Sequence, residues 1–225
     1  MINPVARPII TLEEHFLFRA ALAAPNARNE SFRAIPGLFE QFTELGEKRI
    51  ADMNNGQVSM QVISHGPGDL SPAQCRETNN QLADAVRTYP TRFAGFAELP
   101  MHEPQEAAKE LHRMCSGEYE GVRFVGALVD SHTESGLYYD GPEFDTLWET
   151  ATKLDTPIFI HSTWPADELV SAYQSPSLPD NITLSILAFA LAGTVMWRFM
   201  LCDCTPPAFL TDFPSSRLLS DIWAK

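Results

Sequence analysis

Short β-rich runs alternate with helical stretches at roughly 30-residue spacing, and this rhythm constrains the fold more than any other feature of the chain. The runs are RPIITL (Arg7–Leu12), SMQVIS (Ser59–Ser64), RFAGFAEL (Arg92–Leu99), GVRFVGA (Gly121–Ala127) and TPIFIH (Thr156–His161). Each is short, rich in Val, Ile or Phe, and bounded by turn residues. Between them, SPAQCRETNNQLADAVRTYP opens with Ser71 as cap and Pro72 at the first helical position, and stops at Pro90. HEPQEAAKELHRM sets Ala107, Ala108, Leu111 and Met114 at helical spacing. DGPEFDTLWETATKLD sets Phe144, Leu147, Trp148, Ala151 and Leu154 on one stripe. Such units join through right-handed crossovers into a parallel sheet.

The expected fold is therefore α/β, a (β/α)8 TIM-barrel-like architecture that is incomplete. Five strands are identifiable in the sequence, whereas a closed barrel has eight and typically about 250 residues. With 225 residues, the expectation is one domain over 1–225, with about 200–225 an unplaced tail. The uncharged stretch Ile182–Trp197 contains Thr, Ser and Gly and falls short of the roughly 20 apolar residues of a membrane span, so it reads as a buried helix. The start, MINPVARP, lacks an apolar core and a small-residue cleavage site, so no signal peptide is expected.

The formal net charge is -13, with the acids dispersed along the chain. Nucleic acid is not an expected partner, because phosphates are held by clustered Lys and Arg. Cys75, Cys115, Cys202 and Cys204 show no disulfide spacing, which points to a reducing cytoplasmic setting. Cys202 and Cys204 could form a redox or metal pair, but bystander cysteines are the commoner case.

TLEEHF (Thr11–Phe16) admits two readings. Thr11 and Glu14 fit a helix-opening capping box. Alternatively PIITLEEH is a strand, in which Glu13 and His15 share one face and Glu14 points the other way. Carboxylate and imidazole are good donors to Zn2+ and similar ions. His161 supports the second reading, since it ends its own run just before a Pro-bearing loop. In barrels of this kind, functional residues sit at the C-terminal ends of strands, and Glu13, His15 and His161 all fall there. His65 also follows a strand and is a candidate for touching substrate. His102 is a weaker case, His112 is expected in solvent, and His132 in a loop.

LEEHF, RFAGFAELP and GVRFVGALVDSHTESGLYYDGPEFDTLWETATKLDTPIFIHSTWP resemble the amidohydrolase-related metal-dependent decarboxylases. The nearer likeness is to the dihydroxybenzoate and γ-resorcylate decarboxylase group, over Ile9 to Pro165. The resemblance implies a distorted barrel in which Glu13, His15 and His161 ligate a divalent ion. It implies Zn2+ first, with Mn2+ or Mg2+ as alternatives. It implies a small aromatic carboxylic acid as substrate, non-oxidative loss of CO2, and a homo-oligomer for a full-length protein. Family members also carry a later GH.GE-like strand end and a late Asp that handle the proton. Neither is identifiable here, so the acid–base residues stay unassigned. Ser220-Asp221 follows His161 too soon to supply that Asp. Two other readings remain open: a hydrolase of the same superfamily, and a non-catalytic remnant acting as a binding piece. A five-stranded barrel would expose two sheet edges, so the expectation is a chain that is poorly soluble or partner-dependent and lacks decarboxylase activity by itself.

Overall fold

The computed structural model describes residues 8–18, 35–66, 70–163, 170–174 and 177–179. Strand β1 (Ile9–Phe16) is followed by helices α1 (Leu38–Phe42) and α2 (Glu47–Asn55), then β2 (Val58–His65). Helix α3 (Pro72–Thr88) leads to β3 (Phe93–Glu98), and α4 (Pro104–Cys115) to β4 (Gly126–Asp130). A 3-10 turn (Pro142–Phe144) opens α5 (Asp145–Lys153), which precedes β5 (Ile158–His161) and the short α6 (Val170–Tyr173). The strands pair in parallel in chain order, β1-β2-β3-β4-β5, as a curled half-barrel with helices between. Among the described residues no helix is long and apolar enough to cross a membrane. The tail, the Ile182–Trp197 stretch, Cys202, Cys204 and Asp221 lie outside the described residues.

Local chemistry explains the elements. Ser71 accepts from the Gln74 N–H while the Gln74 side chain accepts from the Ser71 N–H, a full capping box that starts α3 with Pro72 inside it. Helix α4 buries Ala107, Ala108, Leu111 and Met114, the stripe its sequence presents. Helix α5 and its 3-10 turn bury Phe144, Leu147, Trp148 and Ala151, with the Trp148 indole donating to the Tyr139 carbonyl at 2.8 Å.

Two expected boundaries move. TLEEHF is strand throughout, so the capping-box reading of Thr11 and Glu14 does not hold. The expected run Gly121–Ala127 becomes strand only at Gly126 and extends to Asp130. The reason lies in the approach from α4: Gly121 adopts φ +74°, the Val122 N–H bonds back to Tyr119 and the Phe124 N–H to Met114. These bonds keep 121–124 on the end of the helix before the chain enters the sheet.

Alternation sorts the strand side chains onto two faces. Phe16, Ile63, Phe93, Ala127 and Val129 face the helices and join the main core with Leu82, Leu111 and Leu147. Val62, Phe96 and Leu128 form a small cluster on the other, inner face, with Ala94 and Phe159 against it.

Candidate metal centre

Two residues beyond the last inner apolar side chain of each of β2 to β5 stands a polar one. Ser64 follows Val62, Glu98 follows Phe96, Asp130 follows Leu128 and His161 follows Phe159. By alternation these share the inner face at the C-terminal ends of their strands. His15 is register partner of Ser64, and Asp130 of His161. The five strands thus present one row of polar side chains around the inner rim.

Among the described residues, β1 and β5 are the two outer strands of the sheet. In a flat sheet, four spacings of about 4.8 Å would hold them about 19 Å apart. Instead the His15 and His161 rings lie 5.3 Å apart, edge to face. His161 Nε2 is 3.1 Å from Glu13 Oε1. One donor atom each from Glu13, His15 and His161 fall within 4.8 Å of one another. Curling of the sheet therefore gathers the three residues singled out in the sequence.

Burial keeps both imidazoles uncharged. Burial, with the neighbouring His161, pushes His15 down to about 4. Burial also lowers His161, against the opposing pull of the Glu13 carboxylate. A neutral imidazole is the form that can donate a lone pair. Ser64 Oγ is 3.0 Å from His15 Nδ1. The tautomer that donates from Nδ1 to Ser64 leaves the His15 lone pair on Nε2. Two imidazoles and a carboxylate, with Glu13 about half exposed toward solvent, have the composition of an open three-ligand site for a divalent ion.

Glu14 lies apart from this cluster and faces Arg49 Nη2 at 3.7 Å. His65 is at the end of β2, as expected, but is only 5% exposed and packs edge-on against Phe16. Alternation puts it with Ile63 on the helix-facing side, behind His15 rather than beside it. Neither of its ring nitrogens has a hydrogen-bond partner among the described residues. His102 lies 3.5 Å from Glu103, and His112 is exposed on α4. His132, in the loop after β4, helps line a cleft with Glu98, Asp130, Glu134 and Tyr139. Ser64, Glu98, Asp130 and Arg49 were not singled out in the sequence. Counting by twos from Val62, Phe96, Leu128 and Phe159 would have found the first three.

An amidohydrolase family model matches residues 42–193. The decarboxylase orsB of Emericella nidulans is 39% identical over 187 residues, which make up 80% of this chain and 54% of that protein. The γ-resorcylate decarboxylase of Polaromonas sp. is 33% identical over 165 residues, 68% of this chain and 49% of that protein. A solved dihydroxybenzoic acid decarboxylase from Polaromonas sp., with manganese and the inhibitor 2-nitroresorcinol bound, superposes with a TM-score of 0.71 at 26% identity. The superposition covers 94% of this chain and 64% of that one. The chain spans about half the length of the curated relatives it matches. A parallel sheet that curls its first and fifth strands together, and a family match over most of its length, lead to one conclusion: the chain belongs to the amidohydrolase family.

Proposed function

We propose that the chain is of the metal-dependent carboxy-lyase type that removes CO2 non-oxidatively from a hydroxylated aromatic acid. The observation that carries this reading is the convergence of Glu13, His15 and His161 within 4.8 Å at the ends of the two outer strands. The similarity to orsB and to γ-resorcylate decarboxylases supplies the reaction class.

Glu13, His15 and His161 would hold a divalent ion. Two imidazoles and one carboxylate suit Zn2+, and Mn2+ is the alternative that the Polaromonas enzyme carries. When bound, such an ion would act as a Lewis acid and template for the carboxylate and neighbouring hydroxyl oxygens of the acid. The chain's own residues would do the rest of the binding. Ser64 orients the His15 ring. Burial keeps both imidazoles neutral, so that their lone pairs are available. The cleft at the ends of β3 and β4 could receive the ring, with Tyr139 and Leu128 as apolar wall and His132 as a polar contact. His65, proposed from its strand-end position to touch substrate, is set behind His15, and burial weighs against direct contact.

The test reads binding first and turnover second. The 225-residue chain would be titrated with Mn2+ or Zn2+, then with 2-nitroresorcinol, following the absorbance of the ligand. Metal-dependent binding, together with CO2 release from hydroxybenzoates, supports the decarboxylase. Metal-dependent binding without CO2 release supports the expectation that the chain by itself is inactive. Ester or lactone cleavage without CO2 release would replace the reading with a hydrolase. No metal binding would leave a non-catalytic remnant.

A further inference from the structure

Strand β1 is irregular where the donors sit. Thr11 pairs with Gln61 and Glu14 with Ile63, so Leu12 and Glu13 together oppose the single residue Val62. Two residues against one is a β-bulge, which interrupts the ladder and re-aims the side chains around it. The ladder resumes at Glu14–Ile63 and His15–Ser64, so of the donors only Glu13 lies within the break.

Arg49, on α2, spans this gap. Its Nε donates to Gln61 Oε1 at 2.7 Å, beside the start of the bulge. Its Nη1 donates to the His15 carbonyl at 3.1 Å, beyond the bulge, and reaches the Glu44 carbonyl at 3.4 Å. Its Nη2 faces the Glu14 carboxylate at 3.7 Å. The side chain is 11% exposed. One rigid fork thus ties β2, both sides of the bulge and the loop before α2. A flexible Lys could reach one of these acceptors but not hold them in fixed relation. The contact with Glu14 also keeps that carboxylate on the helix side, away from Glu13 and His15.

We propose that Arg49 is a positioning residue that braces the β1 bulge so that Glu13 and His15 present their donor atoms toward His161. The inference rests on the metal-site reading above. It assigns Arg49 no contact with ion or substrate.

The test is direct titration of the chain with Mn2+ alone, and with Co2+ for its visible spectrum, at a temperature where every variant is folded. Arg49→Met is expected to weaken Mn2+ binding about 10- to 100-fold, the usual effect of removing support behind a ligand, and to alter the Co2+ bands. Arg49→Lys is expected to recover little of this loss. Gln61→Leu removes one anchor and is the milder variant should Arg49→Met fail to fold; an affinity loss of about 2- to 10-fold is expected. Leu147→Ala, a core truncation on α5, controls for stability: it should lower the melting temperature and leave the Mn2+ affinity unchanged. If Arg49→Met and Gln61→Leu bind Mn2+ as wild type does while His161→Gln does not, the brace is refuted and the site stands. If His161→Gln binds as well as wild type, the site reading falls and the brace with it.

Discussion

Replacing Asn79 by Ala should be among the costliest single truncations in this chain. Asn79 lies on α3 and is 1% exposed. Its Oδ1 accepts from the Glu98 N–H at 2.8 Å, and its Nδ2 donates to the Glu98 carbonyl at 2.9 Å. The same Nδ2 donates to Glu110 Oε1 at 2.7 Å. The side chain therefore mimics one rung of a parallel ladder at the end of β3. That rung is needed because β3 pairs with β2 only through Gly95, three residues short of Glu98. The amide orientation follows from the same bonds, since the flipped form would set its oxygen against a carbonyl and a carboxylate.

Truncation leaves the Glu98 N–H and carbonyl without these partners in a buried setting. A buried group stripped of its partner costs about 1–3 kcal/mol. Glu110 keeps Arg113, to which it remains paired, so its share is small. The sum is about 2–6 kcal/mol, a large part of a typical stability of about 5–15 kcal/mol. Asn79→Asp should be no better, because a carboxylate cannot donate to the Glu98 carbonyl and would face Glu110. Urea denaturation followed by circular dichroism measures the loss as a lowered midpoint. A loss below about 1 kcal/mol for Asn79→Ala, or an Asp variant as stable as wild type, would refute the reasoning.

Three further outcomes are expected. Glu13→Gln should abolish most of the bound Mn2+ or Zn2+ measured by elemental analysis, whereas Glu14→Gln, whose side chain faces Arg49, should lose much less; equal losses would contradict the strand geometry. In metal-free buffer, stability should fall as pH drops from 6.5 toward 4, because burial holds His65 at about 4 in the folded chain, so the unfolded state binds the extra proton in that window. The slope is at most about 1.4 kcal/mol per pH unit for that histidine, and an unchanged slope in His65→Gln would count against it. Gly126→Ala should destabilise by about 1–3 kcal/mol, since an added Cβ would meet the Pro157 carbonyl oxygen at 2.6 Å and the Phe96 ring at 2.8 Å; Gly95→Ala should cost less, because its obstacle is the Phe124 ring, which can turn, and a reversed order in thermal melts would overturn this.

What the sequence revealed, and what it concealed, follows from the range of the interactions concerned. Each strand and the three helices α3, α4 and α5 rest on period and on caps written within a few residues, such as Ser71 with Gln74. The three side chains that converge were legible for the same reason: Glu13 and His15 are two apart on one strand, and His161 is the last residue of another. The boundary of β4 was not legible, because it is set by the Phe124 N–H bonding back to Met114 across the loop. Arg49 was not legible either. Its partners lie 12 residues ahead at Gln61 and 34 behind at His15, and no local pattern marks a cation on a half-buried helix as a brace. The bulge at Leu12 and Glu13 is likewise a property of the pair of strands: it exists only in the register between β1 and β2. Strict alternation along β1 alone separates Glu13 from Glu14. The register break and the guanidinium behind it account for how that separation is held in place, and so for why the donors on the first strand can meet the histidine on the fifth.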